Sequence, residues 1–245
     1  MREFRGDLHI HTCLSPCGDL SMLPMEIVRK AKEKGLDVIG ICDHNSAENV
    51  TAVRKAGERE EISVIGGIEI TSEEEVHILA LFDSDDTLSI IQNIIYDHLP
   101  GENDEETFGY QVVVDEKDEI KGINRRLLIG ATTLLIDRIV DIIHRFKGIA
   151  IAAHIDRDSF SIISQLGFIP EGLAFDALEV SPFHTAEDMR RKFPSVNNFP
   201  IITSSDAHYL EDIGKARTSF LMEEPSVEEL SKAFRGIGGR KILGM

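Results

Sequence analysis

Two histidines one residue apart, His9 and His11 in the string DLHIHT, open a series of potential metal ligands that runs through most of the chain. Asp43 and His44 follow in ICDHN, Glu69 in GGIEIT, His77 in EVHILAL, His154 in AAHIDR, and Asp206 with His208 in SSDAH. Imidazole nitrogen and carboxylate oxygen together suit divalent Zn, Mn or Fe, and a glutamate can bridge two ions through its two oxygens. Side chains alternate along a strand, so both imidazoles of HxH point to one side and can hold one ion from a single wall. Taken singly, an HxH or an Asp-His pair is often only a hydrogen-bonded or surface pair. The joint placement is what argues for a metal centre.

That placement depends on the elements around the ligands. Short β-rich apolar runs alternate with amphipathic helical stretches, the signature of βα units and a parallel sheet or barrel. The strand candidates are Leu8–His11, Val38–Cys42, Ser63–Ile70, Val76–Phe82, Ile149–His154, Ala177–Val180, Ile201–Ser204 and Ser219–Met222. Helices are expected over Pro24–Lys34, with Pro24 in the first turn and Gly35 as the stop, and over Ser226–Arg235, closed by Gly236. Six of the nine histidines belong to these strands or to the loops just after them. A β/α barrel gathers residues distant in sequence at the C-terminal ends of its strands. His77 opens its run instead of closing it, and an antiparallel strand there would bring it to the same end. His98 and His144 fall on helices and read as surface or packing residues, and His184, in EVSPFHT, is open to either reading.

The 245 residues, 42% hydrophobic, suffice for one α/β domain over 1–245. The stretch 100–130 is acidic and weakly periodic, and is expected to be an insertion: a lid, a small helical hairpin or a flap. With 43 acidic against 26 basic residues the formal net charge is −17. This argues against a grip on long duplex nucleic acid and leaves open a small phosphorylated substrate, nucleotides included. Bound cations would reverse the local field for such an anion. Three cysteines form no even disulfide framework. The N-terminus lacks a signal-peptide layout, and no apolar run approaches the ~18 residues of a membrane span. The expectation is a soluble cytoplasmic protein without a membrane partner, its oligomeric state open.

In order, DLHIHT, ICDHN, GIEIT with EVHILAL, AAHIDR and SSDAH resemble the motifs of the PHP (polymerase and histidinol phosphatase) family, from Asp7 to His208. The resemblance implies a distorted, TIM-like (β/α)7 barrel with two or three divalent ions that hydrolyses phosphoesters. Carried over residue by residue, it gives the first ion His9, His11, Glu69 and Asp206. The second would share Glu69 and add His77 and His154, and the third would take His44 and His208. The family usually has His or Asp a few residues after the HxH, commonly as SDG, where this chain has SPCGD. Asp19, Cys17 or a water would complete the third site: ligand hardness favours Asp19, whereas aligning the glycines puts Cys17 opposite the usual acid. A thiolate would favour zinc, and Asp19 a harder ion such as Mn.

With the ions so placed, a hydroxide held between two of them would attack phosphorus in line with the leaving oxygen. His208 or His44, where not committed to a metal, would protonate that oxygen. Arg157 is the candidate phosphate clamp, against an ordinary pairing with Asp156 or Asp158. Arg125 and Arg126 would bind a second phosphate, against a plain surface pair. Asp7 is expected to accept the second N–H of a ligand histidine. The function implied is hydrolysis of a phosphate ester of a small molecule or nucleotide, such as a nucleoside 3′,5′-bisphosphate or a short oligonucleotide. The alternatives are a histidinol-phosphate phosphatase and a metal-stabilised binding module without catalysis.

Overall fold

A computed structural model describes residues 1–244. Its strands are β1 (Arg2–Ile10), β2 (Val38–Ile41), β3 (Ser63–Thr71), β4 (His77–Phe82), β5 (Val112–Val114), β6 (Ile120–Ile123), β7 (Ile149–Ala152), β8 (Ala177–Val180), β9 (Ile201–Thr203), β10 (Thr218–Met222) and β11 (Lys241–Leu243). The helices are α1 (Pro24–Glu33), α2 (Val50–Glu60), α3 (Asp85–Asp97), α4 (Glu105–Phe108), α5 (Ile136–Arg145), α6 (Ile162–Leu166), α7 (Ala186–Lys192) and α8 (Val227–Arg235). Runs such as Val38–Ile41 and Ile149–Ala152 are buried throughout, as strands covered on both faces must be.

Nine strands join in the order β11-β10-β1-β2-β3-β4-β7-β8-β9. The segment after β9 returns to β1: His11 N–H donates to Ala207 O at 2.9 Å, and Thr203 at the end of β9 is tied to Thr218 Oγ1 on β10. Seven strands, from β1 round to β9, thus form a nearly closed barrel, and β10 and β11 extend its sheet along the first half of β1. The distorted (β/α)7 expectation holds. β4 runs antiparallel to both β3 and β7, with Thr71 opposite His77 and Ile78 opposite Ala152. Its first residue therefore lies at the end where β3 and β7 finish, which resolves the odd position of His77.

Alternation along the strands separates two cores. Ile68, Ile70, Ile78, Ala80 and Leu178 face outward onto Ile27, Val28, Val53, Ile91 and Ile139 of the helices. Ile65, Leu79, Leu81, Ile151, Ala177 and Ile202 face inward, and Leu230 and Phe234 of α8 join them. The inward row of β3 continues from Ile65 through Gly67 to Glu69, that of β4 runs back from Leu81 to His77, and that of β8 passes from Ala177 to Glu179. Period-two geometry thus carries these rows from apolar residues to polar ones at one end of the barrel.

Close approach of β1 and β2 rests on Gly40, where a Cβ would lie 2.3 Å from Leu8 O. Because the obstacle is backbone of the strand that carries the HxH pair, Gly40→Ala is expected to cost about 3 kcal/mol. Urea unfolding checks this: an unchanged midpoint would contradict the strand spacing.

The stretch 100–130 contains the four-residue α4 and an antiparallel hairpin, β5 with β6, where the sequence suggested a lid, a helical hairpin or a flap. Val112 N–H donates to Cys13 O, and the amides of Asn49 and Asn45 hold Val112 O and the carbonyls of Leu128 and Gly130. The hairpin is thereby fastened to the loops that follow β1 and β2. Among the described residues no helix is long and apolar enough to cross a membrane.

Candidate metal centre

Glu69 is the hub of the cluster at the C-terminal end of the barrel. Its Oε1 lies 2.7 Å from His77 Nδ1, 3.1 Å from His154 Nε2 and 3.4 Å from His9 Nε2. Its Oε2 lies 2.8 Å from His44 Nδ1 and 3.4 Å from His11 Nε2. Asp206 Oδ1 stands 3.0 Å from His11 Nε2 and 3.2 Å from His9 Nε2, and those two nitrogens are 3.1 Å apart. Two sets of ligand atoms gather as His9, His11, Asp206 and as His44, Glu69, His77, with a third formed by His11, His44 and His208. Apart from His208, these residues are almost completely buried.

The arrangement fits divalent cations better than a hydrogen-bond network. Imidazole lone pairs and carboxylate oxygens converge without enough hydrogens to link them, and His77 Nδ1, His154 Nδ1 and Glu69 Oε2 are buried without a hydrogen-bond partner. Burial alone would raise the Glu69 pKa, but the imidazoles of His77, His44 and His9 outweigh it and hold the carboxyl well below its usual range. Burial, and then the His208 imidazole, depress His11 well below the ordinary histidine value, which leaves it neutral with a lone pair to donate. His154 and Asp206 both have positive φ, +28° and +49°, a conformation that non-glycine residues rarely adopt. The strained backbone lies at the two points where the chain leaves a strand and delivers a ligand.

An outer ring of partners fixes the ligands. His9 Nδ1 is 3.0 Å from Glu179 Oε1, and His11 Nδ1 is 2.8 Å from Ser15 Oγ, which in turn donates to Asp43. Asp43 also accepts from the backbone and hydroxyl of Thr12. Such partners set the tautomer and aim Nε2 at the cluster. The sequence reading assigned no role to Glu179, although a charged residue inside the apolar strand ALEV was a signal. It had given this supporting role to Asp7. The structure places Asp7 elsewhere: it accepts from Ser205 N–H, Ser205 Oγ and Gly214 N–H, and so braces the loop that carries Asp206.

The remaining candidates separate clearly. Arg157 Nη1 reaches Asp206 Oδ2 at 2.6 Å, and among the described residues no other Lys or Arg forms an ion pair with the cluster. His208 Nδ1 donates to Asp206 O at 2.9 Å, which leaves Nε2 with its lone pair. Asp19 is not brought to the cluster, since it is exposed and its carboxylate accepts from Ser21 N–H in a local turn. Cys17 Sγ instead lies 3.1 Å from His44 Nε2. Hardness favoured the aspartate, but loop geometry decides which side chain arrives. Arg126 stacks over the Tyr96 ring at 4.0 Å, and with Arg125 it lines a surface hollow beside Glu48, Lys121 and Asn124. Among the described residues, no hydrogen bond or ion pair joins either arginine to the metal cluster. His98 bonds Ile94 O, His144 pairs with Asp176, and His184 Nδ1 meets Asp156 Oδ2 at 2.9 Å.

Comparison with known proteins agrees with this geometry. The PHP domain matches residues 7–161, and a PHP-associated region matches residues 185–236. A phosphoribosyl 1,2-cyclic phosphate 1,2-diphosphodiesterase of Eggerthella lenta is 31% identical over 80 residues, 31% of this chain and 29% of that enzyme. The lesion-specific endonuclease PfuEndoQ from Pyrococcus furiosus superposes with a TM-score of 0.77 at 19% identity, over 99% of this chain and 58% of that one. Endonuclease Q in complex with a 27-mer duplex bearing an abasic lesion at the active site gives 0.72 at 20% identity, over 99% and 59%. The chain thus spans about three-fifths of the length of the endonuclease Q chains. The expectation of a small phosphorylated substrate and no long duplex nucleic acid is overturned, since a chain of this fold takes a 27-mer duplex as its substrate. Net charge summed over a surface does not determine the field at a site built to hold cations. By its matched domain and its ordered ligand strings, this chain belongs to the PHP domain family.

Proposed function

We propose that the chain is a metal-dependent phosphodiesterase whose substrate is a nucleic-acid strand. The observation that carries this reading is the Glu69 carboxylate, whose two oxygens are divided between separate imidazole groups, as required of a residue that bridges two ions. Ions held by His9, His11, Glu69 and Asp206, by Glu69, His77 and His154, and by His44 and His208 would supply an activated water and neutralise charge on the phosphoryl group.

The chain's own residues do the rest. Glu179 and Ser15 hold His9 and His11 with Nε2 facing inward. His208, with its Nδ1 proton committed to Asp206 O, acts as a ligand and not as the acid for the leaving group. Arg157 anchors one Nη on Asp206 and is 37% exposed, so its remaining donors face the solvent side, where phosphate oxygens would approach. Support for a nucleic-acid strand comes from the loops that follow β7, β8 and β9. They expose Phe183 and Tyr209, and Phe160 with one face stacked on His77, and aromatic faces beside a phosphate site suit stacking of bases. The named enzymes that resemble this chain also act on phosphodiesters or on DNA.

Cleavage of labelled single-stranded DNA and RNA, and of duplexes with and without an abasic site, tests the reading on protein loaded with Mn or Zn. Arg157→Ala is expected to lower kcat/KM by roughly 10²–10³-fold with metal content unchanged. Loaded protein that cleaves none of these, while turning over histidinol phosphate or a nucleoside bisphosphate, would overturn the substrate assignment.

A further inference from the structure

The loop after β1 brings a sulfur into a cluster otherwise made of nitrogen and oxygen. Ser15 N–H donates to Thr12 O and Gly18 N–H to Ser15 O, so the chain turns twice and presents Cys17 toward His44. A Cβ at position 18 would lie 2.7 Å from Thr12 O, which is why glycine follows the cysteine. Asp19 N–H donates to His208 O at 2.9 Å, and this bond joins the Cys17 loop to the strand end that carries His208. Cys17 Sγ is then 3.1 Å from His44 Nε2.

The two histidines present their Nε2 atoms differently. His44 Nδ1 faces Glu69 Oε2 at 2.8 Å, and His208 Nδ1 donates to Asp206 O. With its proton on Nδ1, His208 has the Nε2 lone pair to offer, and His44 turns Nε2 to the sulfur. Independently of the cysteine, His44 and His208 belong with His11 to a group of imidazoles whose ligand atoms lie within 4.8 Å of one another. Two imidazoles and a thiolate form a softer set than the carboxylate-rich positions around Glu69 and Asp206, and soft sulfur ligands select zinc over manganese.

We infer that Cys17, His44 and His208 form a sulfur-containing metal position that prefers zinc to manganese, chemically distinct from the positions centred on Glu69. The inference rests on the metal-centre reading but not on hydrolysis. Binding Zn²⁺ there displaces the thiol proton to solvent and forms a Zn–S bond, with no change of oxidation state.

Cobalt(II) reports such a ligand directly. Full-length protein stripped with a chelator and titrated with Co²⁺ should develop a near-ultraviolet thiolate-to-cobalt charge-transfer band. The band should persist in Asp19→Ala and vanish in Cys17→Ser, which should also lose at least about tenfold in affinity for one zinc equivalent. Cys13 and Cys42 are buried, so Cys17 is the thiol open to a water-soluble disulfide reagent, and zinc should slow its reaction where manganese does not. This labelling is done on the unmodified protein and does not depend on how the variants fold. A cobalt-loaded wild type without the band, a band retained in Cys17→Ser, or a labelling rate indifferent to zinc would each overturn the inference. A cobalt–thiolate band in protein that cleaves no phosphodiester would overturn the proposed function and leave this site standing.

Discussion

Glu69→Ala is expected to abolish phosphodiester hydrolysis, lowering kcat by on the order of 10³-fold or more, and to release at least one metal ion. The size of the effect follows from position. Glu69 alone contacts five imidazoles, three through one oxygen and two through the other, so its removal leaves His9, His77 and His154 without a common anchor. The cavity would also open at a point where Gly67, two residues earlier on the same inward row, already has the Cys42 sulfur within 2.7 Å of where a Cβ would stand. Glu69→Gln keeps the shape but exchanges one carboxylate oxygen for an amide nitrogen that cannot ligate. It should retain the fold and still lose most turnover. Steady-state kinetics with elemental analysis on the same samples decides the matter: near-normal kcat in Glu69→Gln would show that the carboxylate bridges nothing.

Metal removal should be nearly as damaging, and to stability as well as activity. Glu69, Asp206 and Glu179 are buried within one end of the barrel, where Arg157 is the one Lys or Arg among the described residues in ion-pair contact with the cluster. Cations that bind only the folded chain stabilise it by mass action, by about 4 kcal/mol when free metal stands a thousandfold above Kd. For a chain of this size each kcal/mol moves Tm by roughly 2–4 °C, so saturating Zn or Mn should raise Tm by about 8–16 °C over chelated protein. Activity should vanish on chelation and return on reloading. A Tm indifferent to chelator would mean that hydrogen bonds alone satisfy the cluster, contrary to the buried unpartnered atoms of His77 and His154.

Much of this was legible because the information is local. β8 begins and ends where the apolar run Ala177–Val180 does, and β2 falls within a residue of its expected limits. HxH predicts two imidazoles on one side of a strand, and His9 and His11 meet at 3.1 Å. What was not legible depends on contacts between distant segments. Glu179 supports His9 across 170 positions, and nothing in ALEV alone names its partner. The choice between Cys17 and Asp19 turns on two backbone bonds within the loop and one to His208, which ligand hardness does not reveal. Arg157 has an acid on each side in sequence, yet it pairs with Asp206, because barrel closure brings the ends of β7 and β9 together. The acidic composition misled for a related reason, since it averages over a surface of which the metal cluster is a small part.

The most direct test of the central claim is cleavage of internally labelled DNA and RNA strands by protein reconstituted with two to three equivalents of Zn or Mn, with Glu69→Gln run alongside. The account predicts new 5′ and 3′ ends with the loaded wild type, none after chelation, and none with Glu69→Gln at matched folding. Both strands left intact by fully loaded wild type, or equal cleavage by Glu69→Gln, would contradict it.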